Sequence, residues 1–459
     1  MNKKMLGVTV FTICLFMLVG GIVQGQEDSM PWDDYDLEGE TLTIMNRFGW
    51  GKQADFLTGE NFDEGEHAEW KETVEEEFNV DIELVYIEDV EESLISEVMA
   101  GDPEASIYTV QYQNAESMLA PEGVLLPLDS TLEDINYYDR LLPMYRDSLK
   151  TFNTFMGETY MLQTGPKILS EARAIVWNKD LFDREGLPDL YELYEDGEWT
   201  WDKFAEIAVE ATRDTSGDGE IDQWGVRTRD QSDDPADIPL GWSDIILWAA
   251  TNDGYLTEEG DDGIEEFAFD SPEVEETFTF LRDLYEKEVF TAADFHSEDV
   301  AMSFDQPGSG GILDHDNFRD MEDDYGVVPL PKGPSADEHK APQSWVWTAI
   351  IPVTVENPEE VLEVYNALYK LTEEYVEEEE WNDKMYDEFA MDARDEETVE
   401  NFQWIQENSE VLPFMGMPTE IEDGDFIESM GEIIMGEASH ASVMNEFEPP
   451  IKAYLDEVQ

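Results

Sequence analysis

Hydrophobic and polar residues alternate with period two over residues 40–46 (ETLTIMN) and residues 81–87 (DIELVYI), which predicts two strands. Helical spacing is read over residues 66–78 and residues 90–100, and a short apolar run over residues 106–110 predicts a third strand. This strand–helix–strand–helix–strand order predicts a parallel sheet covered by helices. A helical stretch reaches about residue 152, and residues 157–162 read as a strand pair.

Ala174, Ile175, Val176 and Trp177 form a buried strand that runs into a short helix ended by Gly186 and Pro188. Thr200 then caps a helix that has Asp202 in its first turn and Phe204, Ile207, Ala208 and Ala211 on one face. Further on, residues 245–250 give a helix face, and Ser271 with Pro272 opens another helix. Residues 345–352 read as a strand, and a helix begins at Pro358. The acidic run at residues 373–380 reads as a solvated helix face.

The chain of 459 residues is long enough for two or three domains, and 41% apolar content allows a packed core. Its charge changes the picture most. With 112 acidic and 25 basic residues the net is −87, spread along the whole chain, which disfavours nucleic acid and anionic membrane surfaces as partners. Such a surface repels itself in dilute buffer and is screened at ~1 M salt, where the Debye length is ~3 Å. The expectation is a protein that works in a hypersaline medium.

Residues 1–25 read as an export signal, with Lys3 and Lys4 followed by an apolar run from Met5 to Val23 and a cleavage region at Val23-Gln24-Gly25. The run approaches the ~20 residues that span a bilayer, so an uncleaved anchor is the alternative. Residues 26–39 form an acidic tether. Cys14, inside that run, is the only cysteine, which leaves the exported part without disulfides or thiol chemistry.

Three phrases in order, WNKDLF (177–182), GEWTWDKF (197–204) and DTSGDGEIDQWG (214–225), resemble the central signature of the extracellular solute-binding proteins of ABC importers, in particular the carbohydrate-binding branch. GVLLPLD (123–129) and NDGYL (252–256) also resemble phrases of that family, and residues 301–304 and 325–331 resemble the strand pair by which its members return to the first lobe. Ser106 stands where the family usually has Asp, and Cys14 lies mid-run, so the pattern for a lipid anchor is not met.

The resemblance implies a two-lobed α/β fold of the periplasmic-binding-protein type, each lobe a helix-flanked sheet, with an interleaved chain and a hinge. On that expectation residues 40–155 and 300–352 form the first lobe, and residues 156–299 and 353–459 the second. It implies a monomer that captures a small molecule, here a mono- or oligosaccharide, and delivers it to the permease subunits of the importer. An oligopeptide or another polar solute is the alternative ligand, and a secreted glycoside-active enzyme a more distant reading.

Sugars present apolar faces flanked by hydroxyls, so their sites pair flat aromatic rings with polar side chains. The aromatic candidates are Trp50, Tyr112, Trp177, Trp248, Trp345 and Trp347. Arg47, Gln111, Glu171 and Asp305 are the leading polar candidates, with Asn46, Gln113 and Asp316 beside them. The Asp-rich loop places Asp214, Ser216, Asp218 and Asp222 at positions 1, 3, 5 and 9 of a calcium-loop pattern, with Gly219 at position 6. Gly225 occupies position 12, where such a loop carries a bidentate Glu. The loop therefore reads either as a calcium site completed from elsewhere or as a set of tight turns.

No catalytic residue is expected. The five histidines show no metal-ligand spacing, Asp314-His315-Asp316 is the only suggestive cluster, and no GxSxG, GxGxxG or phosphate-loop motif is present.

Overall fold

A computed structural model describes residues 35–46, 62, 65–87, 90–115, 119–120, 122–141, 154–155, 157–163, 172–228, 240–260, 265–296, 299–306, 318, 320–343, 347–369, 386–387, 389–391, 393–412 and 425–458. Two five-stranded sheets dominate them.

The first sheet has the strand order Asp81–Tyr86, Thr41–Asn46, Ile107–Gln111, Trp347–Ile350, Met161–Gln163. Its first three strands are parallel, with Thr41 opposite Asp81 and Ile44 opposite Ile107, as the alternation of strands and helices predicts. The Trp347–Ile350 strand runs antiparallel to both of its neighbours. Helices Gly65–Phe78 and Val90–Ala100 cover this sheet with Val74, Phe78 and Leu94, all buried. Each such side chain contributes about 1.5–3 kcal/mol of burial. Helix Pro358–Tyr369 packs against Gly65–Phe78 and is buried from Val361 to Tyr369. Its Glu363 is clamped by Arg140 through two bonds of 2.5 and 2.9 Å.

The second sheet has the order Phe290–Thr291, Trp224–Arg227, Val300–Asp305, Ala174–Asn178, Tyr325–Pro329. Every residue of its last three strands is buried, which is why they read as continuous apolar runs and not as alternating ones. Helix Trp201–Ala211 starts where Thr200 accepts a hydrogen bond from the Lys203 amide, and it buries Trp201, Phe204, Ile207, Ala208 and Ala211. It lies so close to the Trp224–Arg227 strand that a Cβ on Gly225 would collide with the Ala208 carbonyl. The glycine of the WGV phrase is therefore a packing requirement.

The chain passes between the sheets three times: after Gln163, before Trp347, and after Tyr369. Helix Glu396–Glu407 packs on the Tyr325–Pro329 strand, and helices Asp425–Met435 and His440–Val458 pack on the second-sheet side against helix Pro272–Glu286 and strand Glu265–Phe267. The interleaving is as expected, but the boundaries are not. Met161–Gln163 belongs to the first sheet. Val300–Asp305 and Tyr325–Pro329, assigned from sequence to the first lobe, pair with Ala174–Asn178 in the second. Helix Pro358–Tyr369, assigned to the second lobe, covers the first sheet. A buried apolar strand carries no mark of the sheet it joins, because pairing is made by backbone groups common to all sequences.

Candidate ligand-binding site

In open α/β sheets the carboxyl ends of parallel strands collect polar side chains, since the strand interiors are apolar and the following loops are free to carry function. Both sheets show this.

At the end of the first sheet lie Asn46, Gln111, Tyr112 and Trp347. The antiparallel register brings Trp347, the first residue of its strand, opposite Gln111, the last residue of its own. Trp347 and Gln111 are half-buried, whereas Asn46 and Tyr112 are buried at 6% and 4% exposure. Arg47, Trp50, Glu171, Trp345 and Asp316 lie outside the described residues, as does the side chain of Gln113.

The end of the second sheet carries a mixed-charge cluster. Trp224–Arg227 and Val300–Asp305 are parallel neighbours with Ser303 opposite Arg227, so Arg227 and Asp305 emerge at the same edge. Arg227 Nη1 lies 3.5 Å from Asp305 Oδ2, and Asp305 Oδ1 accepts the Gln306 amide at 2.9 Å. Arg173, just before the Ala174–Asn178 strand, is 2% exposed; it donates to Gln306 Oε1 at 2.5 Å and its Nε is 3.7 Å from Asp244 Oδ1. Gln343 forms an isolated bridge with Ala172 beside it. A buried charge is costly unless paired, so this cluster can persist only as a compensated unit.

Asp305 was expected from its place at a strand end. Arg227, Arg173 and Gln306 were not, yet a signal existed. In a chain with 25 bases against 112 acids, an Arg that closes or precedes an apolar strand is unusual enough to single out.

Two aromatic candidates are core residues instead. Trp248, 1% exposed, stacks on Phe304 at 5.5 Å and touches Trp201, Phe204 and Phe280. Trp177, 2% exposed, meets Phe182 and Tyr191 edge-on. Helix Trp242–Ala250 is apolar nearly all round, and such a helix buries its Trp on whichever side it falls.

The Asp-rich loop turns its carboxylates onto its own backbone. Asp214 accepts the amides of Gly217 at 2.6 Å and Gly219 at 2.7 Å, and Asp222 accepts those of Thr215 at 2.6 Å and Ser216 at 3.0 Å. Asp218 accepts the Glu220 amide. These bonds hold the Asp214 and Asp222 carboxyls below the usual carboxylate range. Among the described residues no group of three or more His, Cys, Asp or Glu side chains is disposed to hold a metal ion. Gly217 and Gly219 turn the chain at φ of +79° and +100°.

Two helix-flanked sheets, an interleaved chain and polar strand ends define an α/β protein of the periplasmic-binding type. The chain belongs to the bacterial extracellular solute-binding proteins, whose family pattern matches residues 63–370. Three solved structures illustrate the likeness. The cyclic alpha-maltosyl-1,6-maltose binding protein of Arthrobacter globiformis shares 15% identity over 90% of this chain and 98% of its own, with a TM-score of 0.61. The ABC substrate-binding protein Lmo0181 of Listeria monocytogenes, in complex with cycloalternan, shares 17% identity over 91% and 99%, with a TM-score of 0.58. The GacH receptor of Streptomyces glaucescens, solved with acarbose, shares 16% over 91% and 99%, with a TM-score of 0.57. No curated protein is significantly similar in sequence. Among the described residues no helix is long and apolar enough to cross a membrane.

Proposed function

We propose that this chain is the ligand-capturing component of an ABC importer and that its ligand is a carbohydrate. The observation that carries the reading is that a chain of this family folds like proteins solved with cycloalternan, acarbose, tagatose, ribitol and maltotetraose, all sugars or polyols. The polar and aromatic residues at the two sheet ends have the chemistry such ligands need: hydrogen-bonding groups at Gln111, Arg227 and Asp305, and a ring face at Trp347. Capture works by differential affinity. The ligand binds the closed arrangement of the lobes more tightly than the open one. No bond is made or broken.

In this reading residues 1–25 direct export, the mature protein works as a monomer outside the membrane, and its acidic surface suits a hypersaline medium.

A calorimetric and thermal-shift panel at molar NaCl tests the ligand class. Maltotetraose, maltotriose, tagatose and ribitol are compared with amino acids and short peptides. Saturable binding of a sugar or polyol is expected; binding confined to peptides or amino acids would reject the carbohydrate reading.

A further inference from the structure

We propose that Arg227 and Asp305 are a specificity-determining dyad that grips two adjacent hydroxyls of an uncharged ligand. The inference rests on the carbohydrate reading above and assigns it a place on the second sheet.

Among the described residues Arg227 makes one polar contact, the 3.5 Å approach to Asp305, and its Nε is buried without a hydrogen-bond partner. A guanidinium has five N–H donors in a fixed fork, and buried donors are normally satisfied. Elsewhere in this protein the same side chain shows what a purely structural pair looks like: Arg140 engages Glu363 through two bonds of 2.5 and 2.9 Å. The Arg227 fork is instead largely unspent, and its side chain remains 25% exposed. Asp305 is pinned by the Gln306 amide, and Gln306 is pinned by the buried Arg173, so the acceptor beside that fork is rigid.

A donor fork and an acceptor on adjacent strands match a vicinal diol, whose hydroxyls both accept and donate. Because the two groups compensate each other, a charged ligand of either sign would meet one like charge. An uncharged polyol is the class that uses both.

The test is calorimetry at molar NaCl on the full chain, using the tightest binder among maltotetraose, maltotriose, tagatose and ribitol. Arg227→Gln and Asp305→Asn are each expected to weaken binding at least tenfold, measured at a temperature where circular dichroism shows the variants folded, since removing one charge of the pair also lowers the melting temperature. Arg227→Lys keeps the charge but lacks the fork, and should fall between wild type and Arg227→Gln; it also decides the matter if Arg227→Gln fails to fold. Wild-type binding with either neutral variant within twofold of it would overturn the dyad and leave the carbohydrate reading standing. No binding of any panel sugar by the wild type would overturn both.

Discussion

The Lys179 ammonium lies 2.6 Å from the carboxylate of Asp395, 216 residues further along the chain. Asp395 is also the N-cap of helix Glu396–Glu407, accepting the Thr398 amide at 2.8 Å, and it receives the Tyr191 hydroxyl at 2.9 Å. The lysine of the WNKDLF phrase therefore latches a late helix onto the second sheet. Burial works against both charges, but the mutual hydrogen bond prevails: it holds the Asp395 carboxyl below its ordinary range and the Lys179 ammonium above its own. Asp395→Ala removes a cap and strands a half-buried cation, at an expected cost of about 2–4 kcal/mol in denaturant unfolding at fixed salt. Because the folded carboxyl titrates below the unfolded one, this stability is present above ~pH 4 and is lost as the pH falls further. Asp395→Asn should show a flatter acid limb than wild type over that window.

Gly326 faces the same latch from the Tyr325–Pro329 strand. A Cβ there would collide with the Tyr191 hydroxyl and the Trp177 indole. Overpacking of this kind costs about 1–3 kcal/mol, so Gly326→Ala should lower the unfolding midpoint measurably, while Gly39→Ala, where the added carbon meets nothing, should show only backbone strain.

Trp248 and Trp347 separate packing from recognition. Trp248→Ala opens a hole among Trp201, Phe204, Phe280 and Phe304 and should cost about 3–5 kcal/mol of stability. Trp347→Ala, on a half-buried ring at the end of the first sheet, should leave the melting temperature nearly unchanged and weaken sugar binding in a fluorescence titration. The converse pattern would move the ligand away from that strand end.

The salt response should have two components. Surface repulsion from a net charge of −87 is screened as NaCl rises, so the melting temperature should climb from dilute to molar salt; a flat or falling curve would reject a hypersaline setting. The Arg140–Glu363 pair, with side chains 10% and 2% exposed, is out of reach of that screening. Arg140→Met leaves Glu363 buried without its cation and should cost about 3–5 kcal/mol at every salt concentration.

For the Asp-rich loop, titration with millimolar Ca²⁺ should release no heat, because Gly225 stands where such a loop carries its bidentate Glu. Asp222→Ala should loosen the loop and raise amide exchange at Thr215 and Ser216, whose N–H groups it accepts, with little effect on global unfolding.

Elements set by local rules were legible in the chain. Thr200 and Ser271 cap helices where their spacing predicts, Gly186 ends one in the left-handed conformation, and the parallel strands follow the period-two runs. What was not legible depends on pairing across long separations. Whether Val300–Asp305 joins the first or second sheet, and whether Trp248 points inward, is decided by partners that no local pattern names. The candidate site was legible in part for the same reason. Asp305 ends a recognisable strand, whereas Arg227 becomes meaningful only once its strand lies beside that of Asp305.

The position of Trp347–Ile350 inside the first sheet, between Ile107–Gln111 and Met161–Gln163, orders how the molecule is built. Every strand of the second sheet has left the ribosome or the export channel by Pro329, so that sheet can close on itself. The first sheet still lacks an inner strand at that moment, although its other four strands came out earliest. The sheet that is begun first is thus completed last, and the chain must keep a gap open for a segment whose Thr348 pairs with Gln163, 185 residues earlier.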